Sequence, residues 1–323
     1  MPYNNTDRVT HLTGPLFVLW GLTRHCDLAC PYCYAKDEGD EELSDREAEA
    51  VAAELVQLRP RHVYFSGGEP LKREALLRSL AQRLGKSGIR CGLITDGTLV
   101  TGKNARWIEK HFFEVQVGLD GAEPAVHDRV RGREGAFAQA ERALELLGGR
   151  GVQLGIVMAL HKATADQVIR VAGFATKVGA SALYLPWLAR AGRARNCPEL
   201  FLSTAERLEV IEQQITEAKL QFGSRLKVQV SDPYAFARRM VTRKVPNATL
   251  YIQSDGMLAP LQLLPWADGD VRDGIRKNWE QHLATFWTSP KVVRAIEEAI
   301  SLDDLWAQTS SSVSDEAENG GLA

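Results

Sequence analysis

Cys26, Cys30 and Cys33 fall within eight positions, in the run Cys26-Asp-Leu-Ala-Cys30-Pro-Tyr-Cys33, and thiols crowded in this way read first as metal ligands. Three thiolates on one short loop can hold three irons of a cubane cluster. The fourth iron then keeps an open coordination position, where a substrate or cofactor can bind. The alternative is a structural zinc site, which would need a fourth ligand such as His25 or His62 and more often shows paired C-x-x-C knuckles. Five cysteines in 323 residues fit metal ligation in a reducing compartment better than a disulfide framework. Of the other two, Cys91 reads as a small buried hydrophobe on a strand and Cys197, beside Pro198, as an incidental thiol in a polar loop.

A second segment with chemical potential is Ser66-Gly-Gly-Glu-Pro70. Paired glycines permit close backbone approach, and a carboxylate accepts hydrogen bonds from an ammonium group. Asp120, just before Gly121, reads equally as a turn residue and as a functional carboxylate. Arg190, Arg193 and Arg195 form either an ordinary solvated basic loop or a group near a ligand.

Elements that could position these residues follow from the hydrophobic pattern. Short apolar runs at 16–20, 62–65, 91–95, 115–119, 154–159 and 183–186 alternate with stretches of helical period at 45–58, 73–87, 102–112, 137–147 and 165–178. Such βα repeats predict an α/β fold with a parallel sheet. Six strands are too few to close an eight-stranded barrel, so an open, partial (β/α)6 TIM-type barrel is expected, with its site at the C-terminal strand ends. The cysteine triad follows the first strand and Ser66–Pro70 follows the second, which puts both at that end. Ser44 with Glu47 and Ser203 with Glu206 fit capping boxes.

The pattern changes after about residue 225. A strand at 227–230 and a hairpin at 249–260 around Asp255-Gly256 predict a small C-terminal α+β extension over residues 226–305, following a barrel over 1–225. Residues 306–323, rich in Ser, Glu and Gly, read as a disordered tail. A 45% hydrophobic chain with net charge -2 can bury a sizeable core and carries no field that argues for nucleic acid or an anionic membrane. Neither a signal peptide nor an apolar run of roughly 20 residues is present, so the expected location is cytoplasmic.

With these motifs in their order, the sequence resembles the radical S-adenosylmethionine (SAM) superfamily from about Pro15 to Asn196, with a fainter echo to about residue 295. The resemblance implies one [4Fe-4S] cluster on Cys26, Cys30 and Cys33, with SAM on the open iron. It implies that Tyr32 packs by the adenine, and that Gly67, Gly68, Glu69 and Pro70 form the segment holding the methionine amino group. Leu93-Ile-Thr-Asp-Gly-Thr-Leu99 looks like the third-strand segment, with Asp96 where Asn is usual. Val117-Gly-Leu-Asp-Gly121 and His127-Asp-Arg-Val-Arg-Gly132 look like the branch that carries SPASM or twitch extensions. There Gly118 and Asp120 would lie near the SAM ribose and Arg131 near its carboxylate, with Gly118 replacing a common Ser. Ile156-Val-Met158 reads as core whose backbone would also face adenine. The hairpin matches the branch's D-G-x-x-x-P-C segment with Leu261 in place of the cysteine, which implies an extension that has lost its auxiliary clusters.

The function so implied is reductive cleavage of SAM to a 5′-deoxyadenosyl radical that abstracts hydrogen from a substrate, with electrons from a donor such as flavodoxin or ferredoxin. About fifteen residues precede the first strand, too few for a folded peptide-binding domain. That favours a small natural-product intermediate of sugar or nucleoside type, altered in a redox-neutral or decarboxylative reaction. The alternatives are a maturase of a ribosomally made peptide that borrows a separate leader-binding protein, and a non-catalytic metal-binding scaffold. No catalytic residue beyond the cofactor set is legible.

Overall fold

The computed structural model describes residues 12–34, 41–244, 247–259, 269–281 and 283–298. Six strands, β1 (Phe17–Thr23), β2 (His62–Gly67), β3 (Arg90–Thr95), β4 (Glu114–Gly118), β5 (Gln153–Val157) and β6 (Ala182–Pro186), lie side by side in chain order. Each is parallel to the next. Between them run α1 (Asp45–Leu58), α2 (Glu74–Lys86), α3 (Gly102–His111), α4 (Pro124–Arg131), α5 (Ala136–Leu147) and α6 (Val168–Lys177). The sheet is open, as expected from six βα units. Ser44 and Ser203 both form the expected capping boxes, and Thr101 with Asn104 forms a third at the start of α3.

Side-chain alternation along the strands explains how the layers assemble. Val18 and Trp20 of β1, Val63 and Phe65 of β2, Val115 and Val117 of β4, and Leu183 and Leu185 of β6 are buried in one core with Leu55 of α1, Leu80 of α2, Ile108 of α3 and Leu144 of α5. The alternate positions, among them Tyr64, Gly92, Glu114, Gln116, Gly118, Gly155 and Tyr184, therefore face the inner side of the sheet.

The sheet runs on into the segment read as an extension. The chain passes through α7 (Thr204–Glu209), a π-helical stretch (Val210–Ile215) and α8 (Thr216–Phe222), and then β7 (Lys227–Ser231) adds in parallel beside β6. After α9 (Pro233–Arg243), β8 (Thr249–Ile252) pairs in parallel with β1 and antiparallel with β9 (Leu258–Ala259). The open sheet thus has both its edges extended, which satisfies backbone groups that bare edge strands would leave unpaired. The hairpin turns at Gly256, which has φ +95, with Met257 N donating to Asp255 Oδ1 at 2.9 Å. Further on, α10 (Ile275–Gln281) buries Ile275 and Trp279 in the main core, while Tyr234, Phe286 and Trp287 form a smaller second core. The expectations about Leu261 and the tail over 306–323 lie outside the described residues. Among the described residues, no helix is long and apolar enough to cross a membrane.

Candidate functional site

The three cysteines sit on the loop leaving β1, and that loop is locked to the one leaving β2. Gly68 N donates to Thr23 O at 2.5 Å and Glu69 N donates to His25 O at 2.8 Å. Only glycine permits this approach: a Cβ on Gly67, which has φ +127, would lie 2.3 Å from Thr23 O, and one on Gly68 would lie 2.3 Å from His25 O. Glu42 secures the other side of the loop, accepting from Thr23 Oγ1 and Arg24 N, both at 2.8 Å. Cys26 Sγ accepts from Leu28 N and donates to Asp96 Oδ2, each at 3.4 Å, and Cys30 Sγ contacts Arg131 O at 3.8 Å. Burial, with Asp96 adding to it, pushes the Cys26 thiol up to about 12. Burial also raises Cys30, against the pull of Arg131. Metal loading must therefore displace protons from both.

Neither histidine expected as a fourth zinc ligand is turned to the cysteines. Among the described residues, no three His, Cys, Asp or Glu side chains come close enough to share one metal ion. His25 is 67% exposed and turns its Nε2 to Glu42 at 3.8 Å, while His62 stacks on Phe17 at 5.5 Å between ring centroids. The three cysteines on one loop are the set expected to hold a [4Fe-4S] cluster, which leaves one iron open.

Glu69 is fully buried. Its Oε1 accepts from Leu71 N at 2.9 Å, capping the 3-10 turn that begins at Pro70, and its Oε2 accepts from Thr95 Oγ1 and Asp96 N, both at 2.8 Å. Burial, with Asp96 close by, drives this carboxyl well above the usual range. Glu69 thus joins the β2 loop to the β3 end. Asp96 completes the tie, its Oδ1 accepting from Thr98 N at 2.8 Å while its Oδ2 meets Cys26.

The other predicted residues meet in a second buried knot. The Tyr32 hydroxyl donates to Asp120 Oδ2, and Ala159 N donates to Asp120 Oδ1 at 3.0 Å. Arg131 Nε forms an ion pair with Asp120 Oδ2 at 2.7 Å, and the guanidinium lies 5.9 Å from the centre of the Tyr32 ring. Burial alone would raise the Asp120 carboxyl, but Arg131 and then His127 outweigh it and hold the group below the ordinary range. Gly118 lies against the Arg131 guanidinium. Asp120 is thus both the turn residue and a network hub. The basic loop after β6 packs on the same side: Arg193 N donates to Cys33 O at 2.9 Å, Arg190 lies over Phe201 at 4.3 Å, and Arg195 Nε donates to Arg190 O at 3.4 Å. Cys91 is buried in the core, as expected, and Cys197 Sγ contacts Pro31 O at 3.7 Å. Ile156 and Met158 are core.

Several residues here gave no sequence signal. Glu42 and His161 are ordinary residue types in unremarked positions, joined to the motifs only across the fold, His161 through its ring 5.2 Å from that of Tyr32; Thr95 and His127 lie inside the motif segments, but the partners of their side chains are not legible there. His127 Nδ1 accepts from Asp120 N at 3.1 Å, which requires the neutral ring. Burial, then Arg131, lowers its pKa from 6.5 to about 4. A depressed folded pKa contributes stability that is complete above about 6.5 and is lost as pH falls through about 4. One proton gives a slope of up to about 1.4 kcal/mol per pH unit. Urea unfolding of His127→Gln should therefore lose stability less steeply than the parent across that window. An equally steep loss would remove His127 from this role.

A further set lies deeper on the inner face. Glu114, at the start of β4, accepts from Tyr64 of β2 at 2.5 Å, Tyr184 of β6 at 2.6 Å and Gln116 at 3.1 Å. Gly92 and Gly155 make room for the two rings: added Cβ atoms would lie 2.4 Å from Tyr64 and 2.8 Å from Tyr184. The sequence signal was present, as glycine and polar residues at alternate positions inside apolar strands.

Comparison with known proteins agrees with this geometry. Residues 20–175 match the radical SAM superfamily. The AdoMet-dependent heme synthase of Oleidesulfovibrio alaskensis is 31% identical over 198 residues, 60% of this chain and 51% of that protein. The PqqA peptide cyclase of Rhizobium meliloti is 25% identical over 225 residues, 68% of this chain and 60% of that one. The chain spans about half to three-fifths of the length of these relatives. The crystal structure of Streptococcus suis SuiB bound to S-adenosylmethionine shares the fold with a TM-score of 0.70 at 14% identity, covering 84% of this chain and 67% of SuiB. SuiB has also been solved bound to its precursor peptide SuiA. With the cysteine loop, its glycine-locked neighbour and the open parallel barrel all in place, residues 20–175 form a radical SAM domain, of the kind that binds a [4Fe-4S] cluster and SAM.

Proposed function

We propose that the chain cleaves SAM reductively and takes a hydrogen atom from a peptide substrate seated against the inner face of the barrel. When bound, the cluster and SAM supply a one-electron cleavage whose 5′-deoxyadenosyl radical accepts that hydrogen. Cys26, Cys30 and Cys33 hold the cluster. The backbone of Gly67 to Glu69, together with Tyr32, Asp96, Gly118, Asp120 and Arg131, forms the SAM pocket, and Pro70 starts the turn that fixes Glu69. The protein's contribution is placement: a C–H bond must lie beside the radical carbon, in a site that excludes water. An electron donor such as flavodoxin or ferredoxin, in the cytoplasm, completes the reaction. On the same reading, residues 1–225 form the catalytic barrel and 226–305 a degenerate SPASM- or twitch-like extension.

The observation that carries the peptide reading is the Tyr64–Glu114–Tyr184 layer. Glu114, Gln116 and Gly118 share one face of β4, alternating with Val115 and Val117, so the layer faces the same side as the SAM pocket, roughly 13 Å below it at about 3.3 Å per residue. It offers half-buried phenol oxygens resting on the buried Glu114 carboxylate, which accepts from both phenols and, among the described residues, has no ion-pair partner. Such a surface suits substrate N–H groups and basic side chains better than carboxylates. The peptide named for PqqA cyclase and the SuiB precursor complex support this reading.

The higher identity to a heme synthase favours a second reading, a small natural-product intermediate altered by a redox-neutral or decarboxylative step. One assay separates them. Reconstituted protein with dithionite and SAM is given either a library of short synthetic peptides carrying basic side chains or iron porphyrin carboxylates, and 5′-deoxyadenosine and substrate mass are followed. Peptide-dependent 5′-deoxyadenosine with a mass change in the peptide is expected, and Glu114→Gln should reduce the peptide change more than tenfold while SAM cleavage continues. Turnover of the porphyrin alone would overturn the peptide reading.

A further inference from the structure

Gly118 ends β4, and the space its side chain would need is already filled. An added Cβ would lie 2.4 Å from Arg131 Nη2 and 3.0 Å from both Cζ and Nη1. Gly118 is absent from the positive-φ glycines, so its backbone conformation does not demand glycine; the contact with Arg131 does.

Arg131 is held there from several sides. It ends α4, where Gly132 closes the helix with φ +67, and its carbonyl accepts from Ala29 N at 3.0 Å on the cysteine loop. Its Nε pairs with the buried Asp120 carboxylate at 2.7 Å, and its side chain is only 13% exposed. A base fixed to the cluster loop and an Nε fixed to Asp120 leave the two Nη atoms lying across the end of β4.

We propose that Gly118 is a positioning residue that admits the Arg131 guanidinium to the SAM pocket, and that Arg131 donates from the place where a short hydroxyl side chain on residue 118 would otherwise donate. This rests on the reading that Arg131 and Asp120 border SAM. Glycine and arginine then act as a pair: a serine at 118 and a guanidinium from 131 compete for one volume, and either alone can supply a donor.

Such a pair gives opposite effects of one substitution in two backgrounds. The probe is SAM, measured by anaerobic equilibrium dialysis against the reconstituted protein, with iron content and thermal unfolding recorded for each variant. In the parent, Gly118→Ser should weaken SAM binding at least tenfold by displacing the guanidinium. In Arg131→Ala it should strengthen binding at least threefold, because the serine hydroxyl regains the donor. Gly118→Ala should weaken the parent at least as much as serine does and give no gain in Arg131→Ala, since it adds volume without a donor.

Should Arg131→Ala fail to hold the cluster, Arg131→Lys replaces it. The slimmer ammonium should make Gly118→Ala at least threefold less costly than in the parent. Equal cost in both backgrounds, or no gain from serine in the Arg131→Ala background, overturns the pairing. If Arg131→Ala and Arg131→Lys both bind SAM like the parent, the reading that Arg131 borders SAM fails instead.

Discussion

Gly68→Ala is expected to retain less than a tenth of the parent's iron and sulfide after anaerobic reconstitution and to bind no measurable SAM, whereas Gly85→Ala should load like the parent. The new methyl on residue 68 would sit 2.3 Å from His25 O and 2.6 Å from Arg24 O and His25 C. All three are backbone atoms, so no rotamer change relieves the clash; the loops must part. Parting them breaks the bonds from Gly68 N to Thr23 O and from Glu69 N to His25 O, and Cys26 is the next residue along that strand of chain. Each lost bond costs about 1 kcal/mol, with more where a buried donor is left unmet. Gly85 lies inside α2, where an added Cβ meets nothing within 4 Å, and alanine there gains up to about 1 kcal/mol of helix propensity. Thermal unfolding of the metal-free proteins separates a local defect from misfolding, since the core on the helical side of the sheet is untouched by residue 68. Parent-level iron in Gly68→Ala would show that the glycine pair is merely a turn.

The contrast between these glycines shows which parts of the fold could be read from sequence. Periodicity located every strand of the barrel to within a few residues, because the strands alternate between a helix-packed face and an inner face over five or more positions. Helix α4 was missed as an element, although its residues were singled out: eight residues starting at Pro124 are too short for a helical period to stand out. The segment after 225 reads as a separate unit because its strands are short and irregularly spaced, and no local pattern says that β7 and β8 pair with β6 and β1. Within the site, motif residues were legible because their spacing is local. Partners such as Glu42 and His161 were not, since they become special only where the chain returns. The inner layer stood between these cases. Tyr64, Gln116 and Tyr184 broke the apolar strands visibly, but that three strands aim them at one carboxylate is a fact of register.

Asp96→Asn should raise the reduction potential of the bound cluster by on the order of 40 mV, read by an EPR-monitored titration, with iron content unchanged. Cys26 Sγ donates to Asp96 Oδ2 at 3.4 Å. A sulfur bound to iron carries no hydrogen, so the loaded site brings a thiolate against a carboxylate oxygen, and hydrogen bonds to sulfur are among the factors that set such potentials. Asparagine reverses the contact. Thr98 N donates to Asp96 Oδ1 at 2.8 Å, which would hold the amide oxygen of asparagine in that place and turn its NH2 toward Cys26. The Asp96 backbone N–H, bound to Glu69 Oε2 at 2.8 Å, is unaffected, so the loop keeps its shape. A new N–H···S bond worth about 1 kcal/mol favours the reduced, more negative cluster, and that energy corresponds to roughly 40 mV for one electron. Aspartate at this position would then make a bound cluster harder to reduce than asparagine would. An unchanged potential in Asp96→Asn would mean that the carboxyl already offers a proton to the sulfur, and a fall in potential would place the side chain away from Cys26 in the loaded protein.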